Sequence, residues 1–216
     1  MRDVVVVSAV RTAVGKFGGA LKDYPAPKLM GLVVREAIDR AGITPDMVED
    51  VISGQCMQRT DEAPLGRQAA LHAGCPDSVP GVTVHRNCAS AMQSVIYAAQ
   101  QIMLGDMEVA VGGGVEVMSR VPYVLYDARW GKRLQHGVMT DGIWEGLTDP
   151  WCGLIMGLTA ENLAEKYNIS REEQDEVARR SHNNAERATE EGKFKEEMLP
   201  VEIPQRKGDP VIFERD

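Results

Sequence analysis

The stretch Val82-Thr-Val-His-Arg-Asn-Cys88-Ala-Ser-Ala-Met-Gln-Ser-Val-Ile96 joins a short β-branched run to a segment with helical periodicity. A polar corner, His85-Arg-Asn87, separates the two parts. From Cys88 onward, apolar residues recur at steps of three and four positions, which is the spacing of one helix face. The pattern therefore predicts a strand, a sharp corner and a helix from Cys88 to Leu104, with Cys88 at the first position of the helix.

Cys88 is the candidate nucleophile of this stretch. A helix N-terminus presents unpaired N–H groups and the positive end of the helix dipole, and both favour the thiolate form of a cysteine. The small residues Ala89, Ser90 and Ala91 leave room for a substrate to approach the thiol. The competing interpretation is that Cys88 is a small buried core residue, because cysteine is among the most buried residue types. The strand, corner and helix pattern alone leaves both interpretations open.

The chain to residue 118 alternates predicted strands and helices. Its first segment, Val4 to Val10, is a continuous apolar run typical of a strand buried on both faces. The further strands are predicted at 50–54, 82–84 and 108–114, and the helices at 26–41, 65–73 and 88–104. This alternation indicates an α/β fold with a mostly parallel sheet covered by helices. Chemistry in such sheets gathers at the carboxyl ends of the strands, and Cys88 follows one of those ends.

The sequence changes character after Met118. Residues 119 to about 158 contain few periodic segments and hold all three tryptophans of the chain. Helices are predicted at 159–167 and from Ser170 to about 191, the second opened by the capping box Ser170-Arg-Glu-Glu173. Prolines interrupt the tail. We therefore expect two domains, an αβ domain over 1–118 and a mostly helical domain over 119–216.

Composition excludes several classes of function. The 216 residues carry a formal net charge of -8 and no dense Lys/Arg field, which argues against nucleic-acid binding. No apolar run approaches the roughly 18 residues that a membrane span needs, and the N-terminal run is too short for a signal peptide.

The cysteines and histidines are dispersed along the chain. No CxxC pair and no spacing typical of a His/Cys metal site is present, so we expect no metal. Cysteines without a disulfide framework fit a reducing compartment, and we expect the protein in the cytoplasm. The residues concerned are Cys56, Cys75, Cys88, Cys152, His72, His85, His136 and His182.

The segment Arg86-Asn-Cys-Ala-Ser-Ala-Met-Gln-Ser-Val95 resembles the active-site segment of the thiolases, enzymes that make or cleave 3-ketoacyl-CoA thioesters. Other stretches resemble the same family in the family's own order, over the whole chain. They are Val6-Val-Ser-Ala-Val-Arg-Thr12, Gly66-Arg-Gln-Ala-Ala-Leu-His-Ala-Gly74, Gly112-Gly-Gly-Val-Glu-Val-Met-Ser-Arg120, Gly146-Leu-Thr-Asp149, Met156-Gly-Leu-Thr-Ala-Glu-Asn162 and Ile169-Ser-Arg-Glu-Glu-Gln-Asp175.

The resemblance implies a thiolase-like mixed sheet layered with helices and a loop domain that covers bound CoA. It implies that Cys88 attacks the thioester of an acyl-CoA, forms an acyl-enzyme and passes the acyl group on, with CoA and acyl-CoA as substrates and no cofactor. Leu147 and Met156 match positions that line the pantetheine and acyl pocket, although an ordinary apolar core is an equal interpretation for both. The family also forms oligomers, so a homo- or hetero-oligomer is expected.

This sequence departs from the family pattern at three positions in the matched segments. His85 stands where a small polar residue is usual, and Ala91 replaces a common glycine. Ile155 precedes Met156 where members specific for acetoacetyl-CoA often have histidine, which puts short-chain specificity in doubt.

The larger departure concerns the second half of a thiolase. Thiolases are nearly twice this length, and their second half supplies a Gly-His-Pro histidine and a Cys-x-Gly-x-Gly cysteine, neither of which this sequence contains. We therefore expect both domains to be incomplete, with the strand that closes the first sheet missing. The first hypothesis is an acyltransferase whose C-terminal half comes from another chain or was lost by truncation. The alternatives are a non-catalytic acyl-CoA-binding or scaffold subunit and, ranked lowest, a ketosynthase-type condensing enzyme.

Overall fold

A computed structural model describes residues 2–216. Backbone contacts divide the chain into two units, Met1–Val121 with Glu197–Asp216, and Pro122–Glu196. In chain order the elements are β1 (Arg11–Thr12), α1 (Ala26–Arg40), β2 (Asp50–Gly54), α2 (Leu65–His72), β3 (Gly81–Val84), α3 (Ser90–Leu104), β4 (Ala110–Gly114), β5 (Tyr123–Val124), β6 (Thr140–Asp141), α4 (Gly142–Gly146), α5 (Met156–Tyr167), α6 (Arg171–Glu190), β7 (Met198–Leu199), β8 (Val201–Ile203) and β9 (Val211–Phe213).

A parallel three-stranded sheet organises the first unit. Its order is β3-β2-β4, and Ile52 of the central strand lies opposite Val82 on one side and Gly112 on the other. Helices α2 and α3 provide the connections that parallel strands require. The predicted α/β alternation is therefore confirmed, and the predicted helices and strands between 26 and 114 differ from the observed ones by at most two residues at either end.

The side chains of β4 alternate between two helical layers. Val111, like its neighbours Val109 and Val115, packs against the core formed with α1 and α2. Gly112 and Gly114, on the opposite face, lie against α3. The core itself is contributed by Met30, Val34, Ile38, Val48, Val51, Ala69, Ala70, Ala73, Cys75 and Val79. The sheet is thus covered by α1 and α2 on one face and by α3 on the other.

Two glycines let the start of α3 rest directly on the sheet. A Cβ atom at Gly54 would lie 2.3 Å from the backbone carbon of Ser90, and one at Gly114 would lie 2.7 Å from the Cβ of Ala91. The buried Ser94 hydroxyl strengthens this contact by donating to the Gly113 carbonyl at 2.6 Å. The ends of β2 and β4 therefore fix the position of the helix start that follows Cys88.

The prediction that Val4 to Val10 form a buried strand is wrong. Residues 2–10 contain no strand, and Val5, Val6 and Val7 are between 69 and 79% exposed. The only strand of this region is β1, which pairs in parallel with β7. β-Branched residues favour extended backbone, but a strand also needs a neighbour's N–H and C=O groups. Within residues 2–216 no strand pairs with this run.

One further expectation about the sheet needs correction. The strand predicted over 108–114 begins at Ala110, and its residues are half-buried or exposed rather than buried. The sheet ends at β4, whose outer edge has no strand beside it in the described chain. Helices therefore cover both faces of β4, but no further strand of the described chain lies along its outer edge.

The second unit contains the predicted helices. Helix α6 begins with the predicted capping box, in which the Ser170 hydroxyl accepts from the Glu173 N–H and the Glu173 carboxylate accepts from the Ser170 N–H. Helix α5 begins at Met156, three residues before the predicted start. The preceding segment, predicted as loop, contains the short β5–β6 pair and the single-turn helix α4.

The last twenty residues group with the first unit, which differs from the expected domain over 119–216. Strand β7 pairs with β1, and the Arg11 guanidinium binds both the Glu197 carboxylate at 2.5 Å and the Asp216 carboxylate at 2.9 Å. β8 and β9 form an antiparallel hairpin in the same segment. A sequence pattern broken by prolines gave no indication of these long-range contacts.

Candidate active site

Cys88 lies in the corner that connects β3 to α3. Its side chain is exposed, so the interpretation of Cys88 as a buried core residue is wrong. The helix begins at Ser90 with Ala89 as its N-cap, two residues later than predicted. The reason is Asn87, whose φ of 47° is left-handed and places Cys88 and Ala89 in a turn ahead of the helix.

One carbonyl oxygen holds this corner in place. The Asn87 carbonyl accepts hydrogen bonds from the Ser90 N–H at 3.0 Å, the Ser90 hydroxyl at 2.6 Å and the Cys56 thiol at 2.7 Å. The Ser90 hydroxyl, which is buried, also accepts from the Arg86 N–H at 2.8 Å. Both the donor and the acceptor capacity of this hydroxyl are therefore used within the corner.

The opposite end of the same peptide group is unpaired. The peptide bond between Asn87 and Cys88 is trans, so the Cys88 N–H points away from the Asn87 carbonyl. Within residues 2–216 this N–H donates no hydrogen bond. An unpaired N–H beside an exposed thiol is the arrangement that can stabilise an oxyanion formed when the thiol attacks a carbonyl group.

Cys56 enters the corner from the end of β2. Its N–H and that of Met57 donate to the Glu116 carboxylate at 2.8 and 3.3 Å, so the end of β4 fixes the segment after β2. Burial raises the pKa of the Cys56 thiol, which favours the protonated form that can donate to Asn87. The other Glu116 oxygen and the side-chain oxygen of Gln55 are buried without a hydrogen-bond partner in the described chain.

The described chain provides no base for the Cys88 thiol. His85, its candidate neighbour, accepts a hydrogen bond from the Asn87 N–H at 3.3 Å through Nδ1 and makes none with Cys88. The Arg86 guanidinium donates to the Gln93 side chain. The corner thus presents a thiol and an unpaired N–H, without the proton acceptor that an activated nucleophile uses.

A comparison with known families decides which proteins share this arrangement. Residues 4–216 match the model of the thiolase N-terminal domain. The chain belongs to the thiolase family. Its α/β architecture is that of the thiolase N-terminal domain, since the crystal structure of the Bacillus anthracis acetyl-CoA acetyltransferase superimposes with a TM-score of 0.95 at 51% identity.

Similar thiolases include an acetyl-CoA acetyltransferase of Cupriavidus necator, 49% identical, and beta-ketothiolase BktB of the same organism, 47% identical. Each comparison covers all of this chain and 55% of the relative. The match to the solved structure covers 98% of this chain and 54% of the solved chain. The chain therefore spans about half the length of the thiolases it matches.

The two pocket residues implied by the thiolase resemblance lie in the second unit. Leu147 follows α4 and is half-buried, and Met156 is the first residue of α5 with 43% of its surface exposed. The Met156 N–H donates to the Leu147 carbonyl at 2.9 Å, so the structure brings these two residues together. Their contact with a ligand stays a prediction.

The sequence did not indicate that Cys56, Ser90 and Glu116 take part in the hydrogen bonds of the corner around Cys88. Glu116 lies in the family-like stretch Gly112 to Arg120, which could have drawn attention to it. Cys56 carries no such signal, because 31 positions separate it from the residue that it binds. Within residues 2–216, no three His, Cys, Asp or Glu side chains are grouped so that they could hold a metal ion. No helix in the same range is both long and apolar enough to cross a membrane.

Proposed function

We propose that this chain is the nucleophile-bearing half of an acyl-CoA acyltransferase that forms or cleaves 3-ketoacyl-CoA. The observation that carries the proposal is the exposed Cys88 thiol next to an unpaired backbone N–H in a family-matching corner. The names of the relatives, acetyl-CoA acetyltransferase and beta-ketothiolase, support CoA thioesters as the substrate class.

In the proposed reaction, the Cys88 thiolate attacks the thioester carbonyl, and the carbonyl π electrons move to oxygen. The Cys88 N–H donates to that oxyanion. Collapse of the tetrahedral intermediate expels CoA as its thiolate, which takes up a proton, and leaves an acyl group on Cys88. A base removes a proton from the α-carbon of a second acyl-CoA, and the resulting carbanion attacks this acyl group. The Cys88 S–C bond then breaks, which forms 3-ketoacyl-CoA and returns the Cys88 thiolate. Cleavage is the reverse sequence.

This chemistry needs two proton acceptors that the described chain does not place at Cys88. We propose that a C-terminal thiolase half supplies them, through its Gly-His-Pro histidine and Cys-x-Gly-x-Gly cysteine. The exposed apolar residues of the first unit support a covering partner, because large apolar patches on soluble proteins are usually interaction surfaces. They include Met92, Val95 and Ile96, which lie at helical spacing on one face of α3.

For the second unit we propose a role in covering CoA, with Leu147 and Met156 lining the pantetheine and acyl pocket. The hydrogen bond that joins their backbones supports a common site, because it holds both side chains on one short segment. We propose that the protein forms a homo- or hetero-oligomer, and we place it in the cytoplasm. The four free cysteines of the chain support the second proposal, because disulfides are rare in reducing compartments.

The second candidate is an acyl-CoA-binding or scaffold subunit without turnover. The observation that favours it is the absence of a base at Cys88 within residues 2–216. It predicts CoA binding that persists in Cys88→Ala and no acyl transfer in any complex, whereas an acyltransferase loses its activity with Cys88.

Purification of the chain from its own cells, followed by mass spectrometry, distinguishes the two candidates. We expect both missing motifs in the purified species, on a second chain in fixed stoichiometry or on a longer form of this chain. The complex should consume acetyl-CoA and release CoA, and Cys88→Ala should reduce that rate by at least about 10³-fold. A complex that binds CoA but has no Cys88-dependent release would identify a binding subunit instead.

A further inference from the structure

We propose that Cys56 and Ser90 are positioning residues for Cys88, acting through the peptide group that joins Asn87 to Cys88. Both side chains donate to the Asn87 carbonyl, at 2.7 and 2.6 Å. We refer to the Cys56 thiol and the Ser90 hydroxyl as the donor pair. Their effect is to hold the Cys88 N–H towards the place where an oxyanion would form.

The argument begins with the geometry of the peptide group. The C=O and N–H of a trans peptide point in opposite directions, so fixing one end fixes the other. The donor pair and the Ser90 N–H together place three donors on the Asn87 oxygen. Rotation of this peptide plane would break all three hydrogen bonds, which makes the outward direction of the Cys88 N–H the stable one.

The donor pair also stabilises the left-handed conformation of Asn87. Asparagine is among the few residues other than glycine that adopt a positive φ, although the left-handed region still costs free energy for a side chain with a Cβ atom. Asn87 has a φ of 47°. The hydrogen bonds to its carbonyl offset that cost, so their removal allows the corner to relax to an ordinary conformation with a different N–H direction.

The position of Cys56 is itself fixed from a different part of the sheet. Glu116, just beyond β4, accepts from the Cys56 N–H at 2.8 Å. Because burial raises the pKa of the Cys56 thiol, the group keeps its proton and acts as a donor rather than as a second nucleophile. The corner is therefore tied to the ends of three neighbouring strands, β2, β3 and β4.

The inference rests on the proposed role of Cys88 as a nucleophile, but it can be tested without CoA. p-Nitrophenyl acetate acylates a thiolate through a tetrahedral oxyanion and releases p-nitrophenolate. Iodoacetamide alkylates the same thiolate by displacing iodide, without forming an oxyanion at the carbonyl carbon. The test quantity is the rate constant of acylation at Cys88 divided by the rate constant of alkylation, both measured by peptide mass spectrometry. This ratio separates the contribution of the N–H from changes in the exposure and ionisation of the thiol.

We expect this ratio to fall about fivefold in Cys56→Ala and about tenfold in Ser90→Ala, since each loses a hydrogen bond that positions an oxyanion donor. Cys56→Ser, which retains a donor, should keep a ratio close to that of the unmodified chain. Cys75→Ala removes a buried thiol from the core and serves as the matched control for a purely structural loss. Circular dichroism of each variant establishes that the fold is retained.

The exposed Cys152 provides an internal reference in every sample. The ratio at Cys88 should exceed that at Cys152 in the unmodified chain. Equal ratios at the two cysteines, or a parallel decrease of both rate constants in Cys56→Ala and Ser90→Ala, would overturn the positioning role. Failure of acetyl-CoA to acylate Cys88 would count against the proposed function alone, because neither reagent in this test requires a CoA site.

Discussion

At the scale of single residues, the corner around Cys88 depends on contacts that are distant in sequence. The thiol that binds the Asn87 carbonyl comes from Cys56, and the carboxylate that fixes Cys56 comes from Glu116. The position of Cys88 between a strand and a helix was predictable, because these elements leave their own periodicities in the sequence. Its exposure and the left-handed Asn87 follow from the packing of neighbouring strands, so the local pattern could not determine them.

A second residue-scale prediction concerns Asp216, whose carboxylate binds the Arg11 guanidinium and the Val14 N–H. These hydrogen bonds lower the pKa of Asp216, the larger effect coming from Arg11. A lowered pKa in the folded state stabilises the fold at pH values above the ordinary pKa of the carboxyl group. That stabilisation is lost as the pH falls through the lowered value.

We therefore expect Asp216→Asn to lower the free energy of unfolding by about 1 kcal/mol at neutral pH, and by much less in strong acid. Urea unfolding at several pH values measures the difference. Glu214→Gln removes a nearby exposed charge and is the control, with an unfolding free energy close to that of the unmodified chain. A difference for Asp216→Asn that persists undiminished at low pH would show that the ion pair is not its cause.

At the scale of elements, the helices and strands between 26 and 114 followed the bounds that their sequence patterns predicted. The buried face of α3 did not, because it consists of Ser90, Gln93, Ser94 and Ala98, whereas the apolar Met92, Val95 and Ile96 are exposed. The run from Val4 to Val10 did not, because its apolar composition specifies extended backbone but not a pairing partner. The glycines at the ends of β2 and β4 are informative in another way. They are needed for the close approach of α3, and a propensity scale would count them only as weak strand formers.

The close approach of α3 predicts a large effect of one methyl group. Gly54→Ala would place a Cβ atom 2.3 Å from the Ser90 backbone, so the helix start must shift. We expect the free energy of unfolding to fall by about 2–4 kcal/mol. Thermal or urea unfolding followed by circular dichroism provides the measurement.

Gly15→Ala is the matched control in the same unit. A Cβ atom at Gly15 would meet only the Leu21 side chain, at 3.4 Å, and its backbone does not need a positive φ. Its unfolding free energy should remain within about 0.5 kcal/mol of that of the unmodified chain. Equal stability of Gly54→Ala and Gly15→Ala would contradict the close packing of α3 on the sheet.

At the scale of the whole molecule, this chain is a thiolase N-terminal domain that spans about half the length of its relatives. The division after residue 121 was close to the predicted boundary at 118, but the return of residues 197–216 to the first unit was not predictable. That return depends on the pairing of β7 with β1 and on the ion pairs of Arg11, which join residues almost 200 positions apart. Short strands between prolines have no periodicity long enough to detect.

The central claim is that Cys88 is the nucleophile that accepts an acyl group from acyl-CoA. The most direct measurement is peptide mass spectrometry of the chain after incubation with acetyl-CoA, alone and together with a thiolase C-terminal half. We predict one acetyl group on the peptide that contains Cys88, formed faster in the complex and removed by added CoA. Cys88→Ala should carry none. Acetylation spread equally over Cys88 and the exposed Cys152, or absent from Cys88 in the complex, would contradict the claim.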